Sequence, residues 1–243
     1  MNGAIEVEVD GRIAKVTMCR QEKLNSVTRK MLEDFEEKVS ALANDPEIMG
    51  ILFTGEGERA FSAGFDLKTV ESLEGEAHHD FFKLLESAIQ HVRCARNCLT
   101  VAAINGYAVG FGAILAAACD IRFFSDDAVF RLPEVDLGIF PGAGAASNLI
   151  ALVGPAHTKD ILLTGRKLNA QEAFRIGLAT RVLPKEEVLP YAVEFLKKLT
   201  SKDRKVVIRT KNLIDGMTGA EQKDAADMES MYLEEWLREY RDI

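Results

Sequence analysis

Phe61-Ser62-Ala63-Gly64-Phe65-Asp66-Leu67-Lys68 and, further along, Asn105-Gly106-Tyr107-Ala108-Val109-Gly110-Phe111-Gly112-Ala113 decide how this chain is read. Each segment follows an apolar run that reads as a buried strand: Met49 to Phe53 before the first, Thr100 to Ile104 before the second. Each then turns through small residues into a run that reads as a helix. A helix leaves its first N–H groups without internal acceptors. Two such turns aimed at one point form an oxyanion hole, a pair of fixed donors for a developing negative charge. On that reading the protein handles a substrate whose carbonyl oxygen becomes negative during reaction.

Outward from these turns the chain alternates strands and helices. Ile5 to Val9 and Ile13 to Met18 alternate apolar and polar residues around Asp10-Gly11, a hairpin signal. Met31, Phe35, Val39 and Leu42 recur at helical spacing, and Asp45-Pro46 ends that helix. Asp66 stands where it would cap a short helix. Val70 to Asp80 is acidic and small, the best candidate for a mobile loop, and Phe81 to Val92 is an amphipathic helix. Phe111 to Cys119 is a helix of mostly small residues. Asp120 to Ser125 and Ala128 to Leu132 read as strands around Asp126-Asp127, and Pro133-Glu134 follows.

Strands joined by helical crossovers imply a largely parallel sheet, so the fold class is α/β. From Pro155 onward the strand signal fades to a brief Arg181-Val182-Leu183. Helices read over Pro155 to Leu163, Ala170 to Ile176, Glu186 to Leu199, Arg204 to Asp215 and Ala220 to about Tyr240. The last carries Met228, Met231, Tyr232 and Trp236, an apolar stripe that needs a surface to pack on. Two regions are expected, a core over residues 1–180 and a helical C-terminal region over 181–243, with a soft boundary near Gly165 to Arg181.

Composition limits the function classes. The 243 residues are ample for a core, and 47% hydrophobic with 28% charged residues is usual for a soluble globular protein. The net charge of −8 and the lack of a lysine or arginine block argue against nucleic acid and acidic membrane surfaces. A small polyanion remains possible, because a few local basic residues can hold one. Met1-Asn2-Gly3-Ala4 carries no targeting signal, and no apolar run reaches the ~18 residues of a membrane span, so a cytoplasmic location is expected. Cys94 and Cys98 are spaced as neighbours on a helix, but the four histidines show no zinc spacing. Free thiols and no metal are expected for Cys19, Cys94, Cys98 and Cys119.

Four motifs together resemble the crotonase superfamily, also called the enoyl-CoA hydratase/isomerase family. Phe61 to Lys68 is similar to its F-x-A-G-x-D-x-K signature. Asn105 to Gly112 with Cys119-Asp120 is similar to N-G-x-A-x-G-G-G followed by Cys-Asp, except that Phe111 stands where glycine is common. Pro133 to Gly144 resembles P-E-x-x-L-G-x-x-P-G-x-G, and Leu163-Thr164-Gly165 through Gly177-Leu178 resembles the L-T-G…A-x-E-A…G-L segment. The resemblance implies a spiral of ββα units with a helical C-terminal trimerisation region, trimers often paired into hexamers, and an acyl-CoA thioester substrate. Coenzyme A would enter as part of that substrate, with no further cofactor. The resemblance also implies Phe65 and Phe111 as the oxyanion-hole N–H donors, and Lys23, Ala63, Asp66 and Lys68 as positions to hold the coenzyme A portion. Asp66 is equally readable as a helix cap.

The family's hydratases resemble a two-glutamate site. The first of those positions is occupied here by Ile114, which cannot transfer a proton; the second is Glu134. Hydration needs water activated on one side and a proton delivered to carbon, work that two carboxylates share. A double-bond shift needs one base, which takes a proton from C2 of a 3-enoyl thioester and returns it at C4. Mitochondrial isomerases of this family are similar in having an apolar residue at the first position and glutamate at the second. The sequence therefore favours an enoyl-CoA isomerase with Glu134 as sole base. Hydration, hydrolysis or decarboxylation from the same hole, and a non-catalytic CoA-binding paralogue, are the alternatives. Phe65, Phe111, Ile114 and Leu132 are expected to line an apolar pocket that raises the Glu134 pKa. Arg131 either faces the pocket, where it would pair with Glu134 or hold a substrate carboxylate, or faces outward. Asp136 is a helper or a structural residue.

Overall fold

The alternation around Asp10-Gly11 becomes an antiparallel pair, β1 (Ala4–Asp10) and β2 (Ile13–Cys19), in register from Ala4 opposite Cys19 to Asp10 opposite Ile13. The computed structural model describes residues 3–66 and 76–217. After a single 3-10 turn, Gln21–Lys23, helix α1 (Arg29–Asn44) begins at Thr28, whose hydroxyl accepts from the Met31 N–H at 3.2 Å. Its buried face is Met31, Leu32, Phe35, Val39 and Ala43, and it stops at Asp45 before Pro46.

Three strand–strand–helix units follow. The first is β3 (Gly50–Gly55), β4 (Ala60–Ser62) and α2 (Glu76–Arg93). The second is β5 (Leu99–Ile104), β6 (Tyr107–Val109) and α3 (Phe111–Ala118). The third is β7 (Ile121–Ser125), β8 (Val129–Arg131) and, after a 3-10 turn at Glu134–Leu137, α4 (Ala145–Thr164), kinked at Gly154 before Pro155. Strand β9 (Leu168–Asn169), α5 (Ala170–Arg175), β10 (Arg181–Leu183), α6 (Lys185–Thr200) and α7 (Arg204–Met217) complete the described chain.

The first strand of each unit enters one six-stranded sheet, ordered β1-β2-β3-β5-β7-β10 and parallel beyond the hairpin. The second enters a small sheet, β4-β6-β8-β9, parallel except for β9. This is the α/β spiral of ββα units. The short strands β4 and β6 escape a periodicity reading because three residues carry no period.

The spiral has a reason in packing. All eight residues of α3 are buried, so only small or apolar side chains fit there, as Ala113, Ala116, Ala117 and Ala118 do. One face of the large sheet and helices α1 to α4 share a core around Phe35, Phe53, Phe61 and Phe111. The other face, through Leu52, Val101 and Phe123, is covered by Val188, Ala192 and Leu196 of α6. Residues 181–200, expected as the start of a helical appendage, are thus part of the sheet layers: β10 pairs with β7, and α6 closes the outer face.

Two local expectations change, and a third falls outside the described residues. Residues 76–80, expected in a loop, form the first turns of α2, while 70–75 lie outside the described residues. Helix α2 ends at Arg93, so Cys94 and Cys98 are not helical neighbours; one is exposed and the other buried. Burial pushes the Cys98 thiol up to about 12 and keeps the enclosed Cys119 protonated as well. The helix expected from Ala220 to Tyr240 lies outside the described residues. Among the described residues, no helix is long and apolar enough to cross a membrane, and no cluster of three or more His, Cys, Asp or Glu is placed to hold a metal.

Candidate active site

The first turn is pinned from beneath by Asn25, itself in the left-handed region at φ 56°. Its side-chain amide donates to Glu56 O at 2.9 Å and Ala60 O at 2.7 Å, and its own C=O accepts from the Ser62 hydroxyl at 2.8 Å. Beyond Ser62 the chain bridges Val27: the Val27 N–H donates to Gly64 C=O at 2.8 Å and the Asp66 N–H to Val27 C=O at 3.0 Å. In extended chain, successive N–H groups point to opposite sides. The Phe65 N–H is therefore turned away from Val27.

The second turn is held by the Gly110 N–H, which donates to Arg131 C=O at 3.0 Å. Gly110 has φ 51° and ψ −117°, a conformation that side chains rarely adopt. The positive φ falls on Gly110 and not on Phe111, which explains why phenylalanine is tolerated there. Phe111 opens α3, so its N–H has no intrahelical acceptor, and the positive end of the helix dipole adds to it.

The two turns meet. A Cβ built on Gly64 would stand 3.1 Å from Val109 O and 3.7 Å from the Phe111 nitrogen. One built on Gly110 would stand 3.6 Å from Gly64 Cα and 3.7 Å from Glu134 Oε1. The Gly64 turn, the start of α3 and one carboxylate thus lie side by side.

Phenylalanine rings hold this spot rigid. Phe111 packs tilted against Phe65 (centroids 5.3 Å apart) and edge-on to Phe35 (5.6 Å), and Phe65 meets Phe81 edge-on at 4.8 Å. Each ring ties its own turn to the core, a packing role that glycine lacks.

Glu134 begins the 3-10 turn after Pro133 and faces a cavity of about 240 Å³. Among the described residues lining that cavity, Glu134 alone is ionisable; Ile114, Leu85, Phe82, Ile139 and Phe140 supply apolar wall. Its Oε2 is buried with no hydrogen-bond partner among the described residues. Desolvation raises the Glu134 pKa above its ordinary value, opposed by its own backbone N–H and by the Arg131 charge. A raised carboxylate pKa in an apolar cleft is suited to proton transfer.

The remaining expected site residues divide. Ala63, Phe65, Phe111 and Ile114 line the cavity. Leu132, expected on the wall, is fully buried in the core and is not among the residues that line the cavity. Lys23 is exposed on its 3-10 turn and does not line the cavity. Asp66 pairs with Arg20 at 2.7 Å, and Lys68 lies outside the described residues. Arg131 points away from the cavity, donating to Gly165 O at 2.7 Å and to Asp136 at 2.8 Å. Asp136 is therefore its ion-pair partner. Arg20 and Asn25, which anchor the first turn through Asp66, Glu56 and Ala60, carry no signal of that role in residue order. Phe82 and Leu85 belong to an amphipathic face and read as ordinary core.

A family model described as enoyl-CoA hydratase/isomerase matches residues 8–240. The chain belongs to the enoyl-CoA hydratase/isomerase family. Within this crotonase-type family it is 34% identical over 203 residues to a protein named crotonyl-CoA hydratase from Syntrophomonas wolfei, covering 84% of this chain and 78% of that one. It is 36% identical over 201 residues to a carnitinyl-CoA dehydratase from Proteus mirabilis (83% and 76% covered). An enoyl-CoA hydratase structure from Bacillus anthracis superposes with a TM-score of 0.89 at 29% identity, covering 96% of this chain and 90% of that one. The family membership accords with the convergence of the Phe65 and Phe111 turns on one carboxylate.

Proposed function

We propose that the protein is an acyl-CoA enzyme that moves the double bond of a 3-enoyl thioester to the 2-position, with Glu134 as its one base. The observation that carries the reading is the wall of the cavity: Glu134 is the sole ionisable side chain among its described residues, and Ile114 stands where a second carboxylate would. The Glu134 carboxylate takes a proton from C2. The electron pair moves into the thioester carbonyl, whose oxygen becomes negative between the Phe65 and Phe111 N–H groups. Glu134 then gives the same proton to C4, the C3–C4 double bond is lost and the C2–C3 double bond forms. No water and no second acid enters. The two donors contribute most; one such donor in a comparable site is worth about 2.7–4 kcal/mol.

Ala63, beside the hole, is the proposed contact for the adenine end of coenzyme A, with the exposed Lys23 available to its phosphates. The competing reading is hydration of a 2-enoyl thioester, favoured by the names of the relatives above, which include a crotonyl-CoA hydratase. The absorbance of the conjugated 2-enoyl thioester separates the two. Isomerisation makes it rise from 3-enoyl-CoA; hydration makes it fall from 2-enoyl-CoA. Rapid hydration with no isomerisation would overturn the proposal. Coenzyme A binding with neither reaction, unchanged in Glu134→Gln, would favour a binding protein.

A further inference from the structure

Arg131 ties three parts of the site together without touching the cavity. Its backbone C=O accepts from the Gly110 N–H, the residue before the Phe111 donor. Its guanidinium donates to Asp136, two residues beyond Glu134 in the same 3-10 turn, and to Gly165 O, the C-cap of α4. The Asp136 carboxylate is tucked against Gly165: a Cβ there would stand 2.6 Å from its Oδ2. The Glu134 turn is closed by its own backbone, with the Ile139 N–H donating to Glu134 C=O at 2.8 Å, but the carboxylate is less tied. Its Oε2 has no partner among the described residues, and Val135, Asp136 and Leu137 of its turn are exposed. A carboxylate that must reach two carbons in turn depends on how its short turn is fixed.

We infer that Arg131 is a positioning residue: with Asp136 it clamps the Glu134 turn to the end of α4 while its backbone holds the oxyanion turn, so that base and hole keep one spacing. The inference rests on Glu134 being the base but not on which reaction follows. The guanidinium satisfies two acceptors at once, one a carboxylate and one a carbonyl, which suits its fixed fork. Lysine in its place keeps the charge but reaches both acceptors less well. Asn at 136 keeps an acceptor and loses the ion pair. Arg131 and Asp136 are the charged side chains at this turn; the cavity walls contributed by α2 and α3 are apolar.

The test uses Arg131→Met, Arg131→Lys and Asp136→Asn in the full chain, with Glu134→Gln as reference. Exchange of the C2 hydrogens of a saturated acyl-CoA with deuterated water, read by mass spectrometry, reports the base and hole whichever net reaction the enzyme runs. Arg131→Met is expected to lower the exchange kcat about 10- to 100-fold, the cost of a misplacement near 1 Å, with KM within about twofold. Arg131→Lys is expected to recover part of it, and Asp136→Asn to fall between. The pH midpoint of exchange should move upward in Arg131→Met, because a positive charge near Glu134 is gone. Unchanged kcat in the folded Asp136→Asn and Arg131→Lys proteins, or a loss confined to KM, would overturn the inference. Exchange that survives in Glu134→Gln would instead overturn the assignment of the base.

Discussion

Gly64→Ala puts a methyl group beside the Phe111 nitrogen, one of the two proposed donors to the substrate oxygen. The built Cβ lies 3.7 Å from the Phe111 nitrogen and 3.1 Å from Val109 O, with φ at 97°. The contact with Val109 O is tighter than most, so the turns must separate by a few tenths of an ångström. Two costs follow. Backbone strain of a non-glycine residue at such a φ is about 1–3 kcal/mol of stability. Obstruction of one donor is about 2.7–4 kcal/mol of transition-state stabilisation, which is about 10²–10³ in kcat. A control separates them. Gly11, in the β1–β2 turn at φ 59°, meets nothing within 4 Å when a Cβ is added, so Gly11→Ala carries the strain and no obstruction. Both variants are to be unfolded in urea and assayed for C2–hydrogen exchange at saturating acyl-CoA. Similar stability losses are expected, with exchange lost only in Gly64→Ala. If Gly64→Ala keeps kcat within about threefold of the parent, no oxyanion sits between these turns and the reasoning fails.

Other outcomes follow from the same geometry. Glu134→Gln is expected to lower exchange by about 10²–10⁴ while leaving coenzyme A binding intact, measured by kinetics and calorimetry. Because desolvation raises the Glu134 pKa, the folded protein keeps that proton over a pH range in which the unfolded chain has lost it, so stability falls as pH rises through that range. Glu134→Gln should thus be more stable than the parent at neutral pH, with the gap closing in acid; no gap in urea midpoints at pH 7 would count against a desolvated carboxylate. Ile114→Glu restores a second carboxylate on the cavity wall and should raise hydration of 2-enoyl-CoA at least about tenfold over the parent, at a cost in stability because Ile114 is buried; the urea midpoint and the fall in thioester absorbance check both. Lys211→Met removes the cation that pairs with Asp120 and Asp215 and should cost about 3–5 kcal/mol in chemical denaturation. Burial opposes the Lys211 charge, but its two carboxylate partners outweigh it and raise the pKa. That contribution is present below the ordinary lysine pKa and lost as pH rises through the folded value, so parent and variant should converge in strong alkali.

The two glycine turns, the one-base pattern of Ile114 and Glu134, and the alternation of strands and helices were all legible in residue order. Each depends on local chemistry: small residues admit tight turns, isoleucine cannot carry a proton, and periodicity reports which face is buried. How the turns accommodate phenylalanine at 65 and 111 was not legible. It depends on Gly110 taking the positive φ and on rings from α1, α2 and α3 stacking across long sequence separations. The direction of Arg131 was also open, because its acceptors, Asp136 and Gly165 O, are brought together by the packing of α4 against the Glu134–Leu137 turn. Which neighbours of Glu134 reach the cavity was not legible either, since alternation says that neighbours face opposite ways but not which way is the cavity. Sequence alone thus determined which groups can do chemistry. Tertiary structure decided which of them meet, because the distance between Gly64, Gly110 and Glu134 is fixed by two sheets packed on one core, and no local pattern encodes it.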